Sequence, residues 1–313
     1  MKCCVFLSVA IFIFSSCKKT EKTLESALKM QEFVIAISQY AKAQDIDFLI
    51  IPQNGEELAF SQANPDLDFN YDYLNAIDAF GVEEIFFNGE KTTDEYRLKN
   101  LQKLRNFKPV FVSEFISDQS DISDALNLNQ TENFICFPRS ATNYYYTEIP
   151  DEGSTENDAD IDSLSNVQNY LYLLNSENFT TKSDYLNALH ATNFDLLLID
   201  LFYEDQILSA SDVNALKTKS NGGKRLVVAY MNIGSAEKFR YYWQPGWKKG
   251  NPDWLKKKYD GYKDEIWVEF WNDDWQNIML NDSDSYINQV LSADFDGVYL
   301  DNTEAYYFLY HRN

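Results

Sequence analysis

FDLLLID (194–200), RLVVAYMNIGSAEKFRYYW (225–243) and FDGVYLDN (295–302) are three apolar runs that each lead into an acidic or polar cluster. A strand buried on both faces reads as an unbroken apolar run, and in a parallel α/β fold the chemistry lies just past its C-terminal end. Asp200, Glu237 and Asp301 fall at or just beyond those ends. Carboxyl groups repeated at one rim point to a (β/α)₈ barrel enzyme.

Six further runs extend the pattern outward: DFLIIPQNG (47–55), EEIFFNG (83–89), KPVFVSEFI (108–116), NFICFP (133–138), VQNYLYLL (167–174) and EIWVEFW (265–271). Helical patterns stand between them, as βα units require. EFVIAISQYAKAQ (32–44) carries apolar residues at 33, 34, 37 and 40, and SDVNALKTKSNGG (211–223) opens on a Ser/Asp cap and closes on glycines. With the three opening runs this makes nine strand candidates, so one is accessory or misread. The acidic stretch at 147–165 lacks periodicity and reads as a solvated linker between the halves 30–146 and 166–313. Neither half holds enough strands to close a barrel alone, so one domain is expected from both.

The chain begins MKCCVFLSVAIFIFSSCKK, with a basic start, an apolar stretch over 4–14 and small residues before Cys17. That stretch is shorter than the roughly 20 residues a membrane span needs, so 1–16 reads as a signal peptide. The Ser-Ser-Cys ending resembles a bacterial lipobox, which implies lipidation at Cys17, with 17–29 as a polar tether. Processing would then leave Cys136 as the only cysteine besides the anchor, and no internal disulfide. Only His190 and His311 are present, which argues against a multi-histidine metal site and a Ser-His-Asp triad. A formal net charge of -22 makes nucleic acid a poor partner, because phosphate binding needs a basic footprint.

AYMNIGSAEKFRYYW, the tryptophan-rich EIWVEFWNDDWQ and DFDGVYLDNTEAYYF together resemble glycoside hydrolase family 114, the extracellular barrels that include endo-α-1,4-polygalactosaminidases. Where bacterial members often read IGEAE, this chain has Ser235 for one acid and keeps Glu237. FVIAISQYAKAQDIDFLIIPQNGEEL and YLNAIDAFGVEEIFFNG resemble motifs that in the family follow the DGVYLDN strand, yet here they precede it. The order resembles a circular permutation, which puts DFLIIP beside FDGVYLD in parallel.

Glycoside hydrolysis uses two carboxyl groups, one holding a proton to donate and one ionised. Asp200 and Glu237 fit that pair if their strands are neighbours about 4.8 Å apart; the roles within the pair stay open, with Glu237, among aromatic neighbours that disfavour ionisation, the favoured proton donor. The competing structural roles are a cap or loop hydrogen bond for Asp200 and an ion pair with Arg240 for Glu237. Asp301 and Asn302, Gln53 and Asn54, Arg240, Tyr230, Trp243, Glu269 and Trp271 are the expected substrate-binding residues, supplying charge, amides and flat rings for sugars. Asp296, at the beginning of its run, is expected to be structural. The resemblance implies a glycosidase for an α-linked, polygalactosamine-like cationic polymer, with no cofactor and no metal. The expected protein is monomeric and touches the membrane only through its lipid anchor, as a periplasmic or surface-facing outer-membrane lipoprotein. The alternative is a glycan-binding lipoprotein that kept the barrel and lost the chemistry.

Overall fold

The computed structural model describes residues 6–150 and 156–311, with side chains from residue 20 onward. In chain order the first six strands are β1 (Leu49–Pro52), β2 (Phe80–Lys91), β3 (Val110–Ile116), β4 (Ile135–Ser140), β5 (Tyr170–Leu173) and β6 (Leu196–Asp200). They are followed by β7 (Phe202–Tyr203), β8 (Gln206–Ile207), β9 (Leu226–Asn232), β10 (Ser235–Glu237), β11 (Leu255–Lys258), β12 (Glu265–Val268) and β13 (Gly297–Asp301).

Five of these form one parallel sheet in the order β1-β13-β9-β6-β5, and β2-β3-β4 form a second parallel sheet. The expected pairing is present: Leu49 to Pro52 lie in register with Gly297 to Leu300. A parallel bridge between Gln53 and Gly81, with Asn54 N–H bonded to Gly81 O at 2.8 Å, links β1 to the start of β2. On the other side, the Tyr170 ring packs against Phe111 and Phe137 at centroid distances of 5.4 and 5.5 Å. All of β5, β6 and β9 is buried, which is why their sequences lack alternation.

Gly81 and Gly234 permit close approaches that no side chain would allow. A Cβ on Gly81 would lie 2.2 Å from the Tyr299 hydroxyl oxygen, and one on Gly234 would lie 1.9 Å from the backbone oxygen of Asn302.

Helix α1 (Phe6–Lys42) packs its stripe Ala27, Met30, Val34, Ile37 and Ala41 into the core. The segment read as a tether is therefore helical, and from residue 26 it is docked. Ser26 Oγ donates to Tyr306 O at 2.9 Å, and Gln31 Nε2 donates to the carbonyls of Leu58 and Phe60. The signal-peptide and Cys17 readings concern residues 1–19, whose side chains lie outside the described residues. Among the described residues no helix is long and apolar enough to cross a membrane.

The linker reading is also corrected for 156–165. Ile161 and Leu164 are buried, and the carbonyls of Asn157 and Ala159 accept from Lys219 Nζ. Lys219 and Asp195 form an ion pair at 2.7 Å with both side chains fully buried. An acidic, aperiodic segment can thus be ordered through backbone oxygens that satisfy a buried cation, a role that composition does not reveal.

The excess strand candidate is EIWVEFW. It forms β12, which pairs antiparallel with β10 and β11 in a separate small sheet. A Ser209 capping box with Asp212 starts the helix predicted at 211–223, and that helix ends at Leu216. Asp296 has the expected structural role, accepting from Val227 N–H at 2.7 Å and pairing with Lys217 at 2.8 Å.

Candidate active site

The ends of β1, β6, β9 and β13 and the middle of β2 surround a cleft of about 490 Å³. Among its described lining residues are six carboxyl groups, Glu83, Asp200, Glu237, Glu265, Asp301 and Glu304, against one cation, Arg240. Its walls carry Tyr144, Tyr145, Tyr146, Tyr172, Tyr230, Tyr259 and Tyr262.

Asp200 and Glu237 are together, but joined through Arg240. The guanidinium grips Asp200 with two bonds of 2.8 Å, and its Nε donates to Glu237 Oε2 at 2.8 Å. Asp200 Oδ1 also accepts from Phe202 N–H at 2.9 Å. Both structural roles weighed for these residues are therefore realised. All three side chains are nearly closed off, at 12%, 5% and 5% exposure for Asp200, Glu237 and Arg240. Burial raises the Glu237 pKa, and the charge of Arg240 opposes the rise.

The other acids lack such a clamp. Tyr230 Oη donates to Asp301 Oδ2 at 2.5 Å, and Asn302 N–H donates to Oδ1 at 2.6 Å. Burial still pushes the Asp301 carboxyl up to about 7; the Tyr230 bond opposes, while the negative charge of Glu83 reinforces. Glu265 accepts from Ser235 Oγ at 2.6 Å, and burial with the charge of Glu237 lifts it to about 8. Glu304 is pushed up by burial to about 7 with Arg97 opposing. Glu83 accepts from the Tyr146 hydroxyl and lies 3.9 Å from Arg139, whose shorter bond is to Glu84.

Asn302, Gln53, Asn54 and Tyr230 also line the cleft. The oxygen of Asn54 is already engaged by Glu83 N–H and by Arg97 Nη2 at 2.7 Å, and that of Gln53 accepts from Tyr172 Oη at 3.3 Å. Asn302 holds Ser235 Oγ at 3.3 Å. Trp243, Glu269 and Trp271 are absent from the cleft lining. Trp243 packs on Trp247, Glu269 pairs with Lys256 at 2.5 Å, and Lys29 sits over the Trp271 ring at 4.3 Å. For Glu269 and Trp271 the reason is strand direction: β12 runs antiparallel to its neighbours, so its first residue, Glu265, meets the cleft and the residues past its far end do not.

Sequence reasoning missed Glu83, Glu265 and Glu304 as site residues. Glu83 stood at the start of a predicted strand, the wrong rim for chemistry. In the structure β2 begins earlier and its pairing with β3 breaks after Glu83, where Glu84 takes a left-handed φ of 63°. The register shift makes Glu83 the end of the first paired stretch. The run of three tyrosines at 144–146 was the available signal for the opposite wall. Among the described residues no group of three or more His, Cys, Asp or Glu side chains is arranged to hold a metal ion.

Three relatives share part of the sequence. An uncharacterized protein of Deinococcus radiodurans is 35% identical over 39% of this chain and 37% of its own length. Another from Thermotoga maritima is 27% identical over 38% and 35%, and one from Methanocaldococcus jannaschii is 28% identical over 49% and 41%. This chain thus spans about two fifths of each relative's length. The model of the glycoside-hydrolase family GH114 matches residues 154–313, which include Asp200, Glu237, Arg240, Glu265 and Asp301. On that match, which covers half of the chain, this protein belongs to glycoside-hydrolase family GH114.

Proposed function

We propose that the cleft hydrolyses an α-linked amino-sugar polymer, polygalactosamine-like and cationic, by carboxyl catalysis. The observation that carries this reading is the division of its acids by Arg240. Asp200 and Glu237 share one buried cation, which offsets part of their charge and fixes their geometry. Asp301 and Glu83 are close enough to influence each other's charge, and neither is gripped by an arginine as Asp200 is. A carboxyl group that holds its proton to about pH 7 suits a general acid, and an ionised neighbour suits the nucleophile or water activator. In this reading Asp301 donates the proton, Glu83 acts as the nucleophile or water activator, and the Asp200–Arg240–Glu237 unit shapes the floor. Tyrosines on both walls offer flat faces to sugar rings.

A second reading keeps the sequence-derived pair, with Glu237 as acid and Asp200 as ionised partner, and is favoured by the raised Glu237 pKa. One experiment separates them: turnover of deacetylated polygalactosamine by Asp301→Asn, Glu83→Gln, Asp200→Asn and Glu237→Gln. The first reading expects losses of at least about a hundredfold in the first two variants, the scale of acid-base assistance. Full activity in both refutes it. Binding without turnover in the wild type would establish the non-catalytic alternative.

The eight parallel strands are read here as one barrel with permuted order. Support comes from the pairing of β1 with β13 and from the contacts joining β1 to β2 and β4 to β5. The protein is further proposed to be a monomeric outer-membrane lipoprotein anchored at Cys17, acting without a cofactor.

A further inference from the structure

Beyond Arg240 the cleft opens into a second cavity of about 240 Å³, which shares Asp200 and Arg240 with the first as a common wall. Phe239 borders both. Its ring is 67% exposed, although one face lies against the Arg240 guanidinium at 5.0 Å. Tyr241, 42% exposed, lines the same cavity, tilted against Phe202 at 5.9 Å and tied by its hydroxyl to Asp284 O at 3.2 Å. From the tip of the β7–β8 hairpin, Glu204 and Asp205 add two exposed carboxylates to its rim.

An exposed phenylalanine held by a buried arginine offers a flat apolar surface where a sugar ring can stack. The carboxylates at the rim suit a free amine, whose ammonium they bind through charge-assisted hydrogen bonds, better than an acetamide, which offers them one neutral N–H. We propose that this cavity is an additional sugar subsite, taking a further hexosamine unit of the same polymer with its ring on Phe239 and its ammonium toward Glu204 and Asp205. The inference rests on the amino-sugar reading above and extends it to chain length: substrate should lie across the Arg240 wall and fill both cavities.

The test uses free-amine α-1,4-linked galactosamine oligosaccharides of increasing length, with kcat/KM and calorimetric binding measured for wild type and Phe239→Ala. In the wild type both quantities should step up by about tenfold at the length that first reaches the second cavity, the scale of one good aromatic contact. Phe239→Ala should reduce that step to less than about twofold. A variant that keeps the full step overturns the subsite. Glu204→Gln/Asp205→Asn should erase the preference for free-amine over N-acetylated chains of that length, and retention of the preference overturns the amine assignment. If the wild type binds with the length step but does not hydrolyse, catalysis in the main cleft fails while the subsite stands. If the wild type neither binds nor hydrolyses, both proposals fall.

Discussion

Replacing Arg240 by methionine should expose how strongly the buried clamp holds the cleft together. The substitution roughly keeps the apolar stem and removes five donors, leaving two carboxylates with 12% and 5% exposure and no countercharge. Removing one partner of a buried ion pair costs about 3–5 kcal/mol. Unfolding entropy of about 2.1 cal/mol/K per residue, over a chain of 313 residues, makes about 0.66 kcal/mol/K, so Tm should fall by about 5–8 °C at pH 7. The penalty should shrink at pH 4 to 5. There the orphaned carboxyls of the variant can take protons and so shed their uncompensated charge. Adding Asp200→Asn to Arg240→Met should recover part of the loss, because it removes one of the uncompensated charges. Thermal unfolding followed by circular dichroism at pH 7 and pH 4.5 measures all of these. A Tm within about 2 °C of wild type at pH 7, or an equal penalty at both pH values, would refute the assignment of Arg240 as the charge that permits this burial.

Other outcomes follow from the same structure. Asp301 and Glu265 have folded pKa values of about 7 and 8, above their ordinary carboxyl values, so the folded state holds more protons than the unfolded state between about pH 4 and 8. Their contribution to stability is full below about pH 4 and is lost as pH rises through 7 to 8; a Tm that instead climbs from pH 5 to 8, or a Glu265→Gln variant whose Tm falls as steeply as wild type, contradicts this. Gly81→Ala would drive a Cβ into the buried Tyr299 ring and should cost about 1–3 kcal/mol by urea denaturation, whereas unchanged stability would show that the ring can yield. Cys17→Ala should abolish metabolic labelling with palmitate and release the protein from the membrane fraction, and continued labelling would rule out Cys17 as the anchor.

Strand identity was legible because complete burial forces unbroken apolar sequence, so LLLID, LVVAYMN and GVYLD could be read as buried parallel strands from composition alone. The neighbours DFLIIP and FDGVYLD were also predictable, through the order of motifs, and so was the gathering of Asp200, Glu237 and Asp301 in one cleft. What each acid does there was not legible. Whether Asp200 and Glu237 face a substrate or a guanidinium depends on where Arg240 folds back, and that placement is set by three-dimensional packing among Phe202, Tyr230 and Tyr286. Strand direction was equally hidden: EIWVEFW is as apolar in an antiparallel sheet as in a parallel one, yet direction decides whether Glu265 or Glu269 reaches the cleft. Glu83 became a site residue only through a register shift in β2, a pairing event between segments that local sequence does not encode. Burial is a property of each strand and leaves its mark on that strand's sequence; the partners of a charged side chain come from distant segments, and only the tertiary structure decides them.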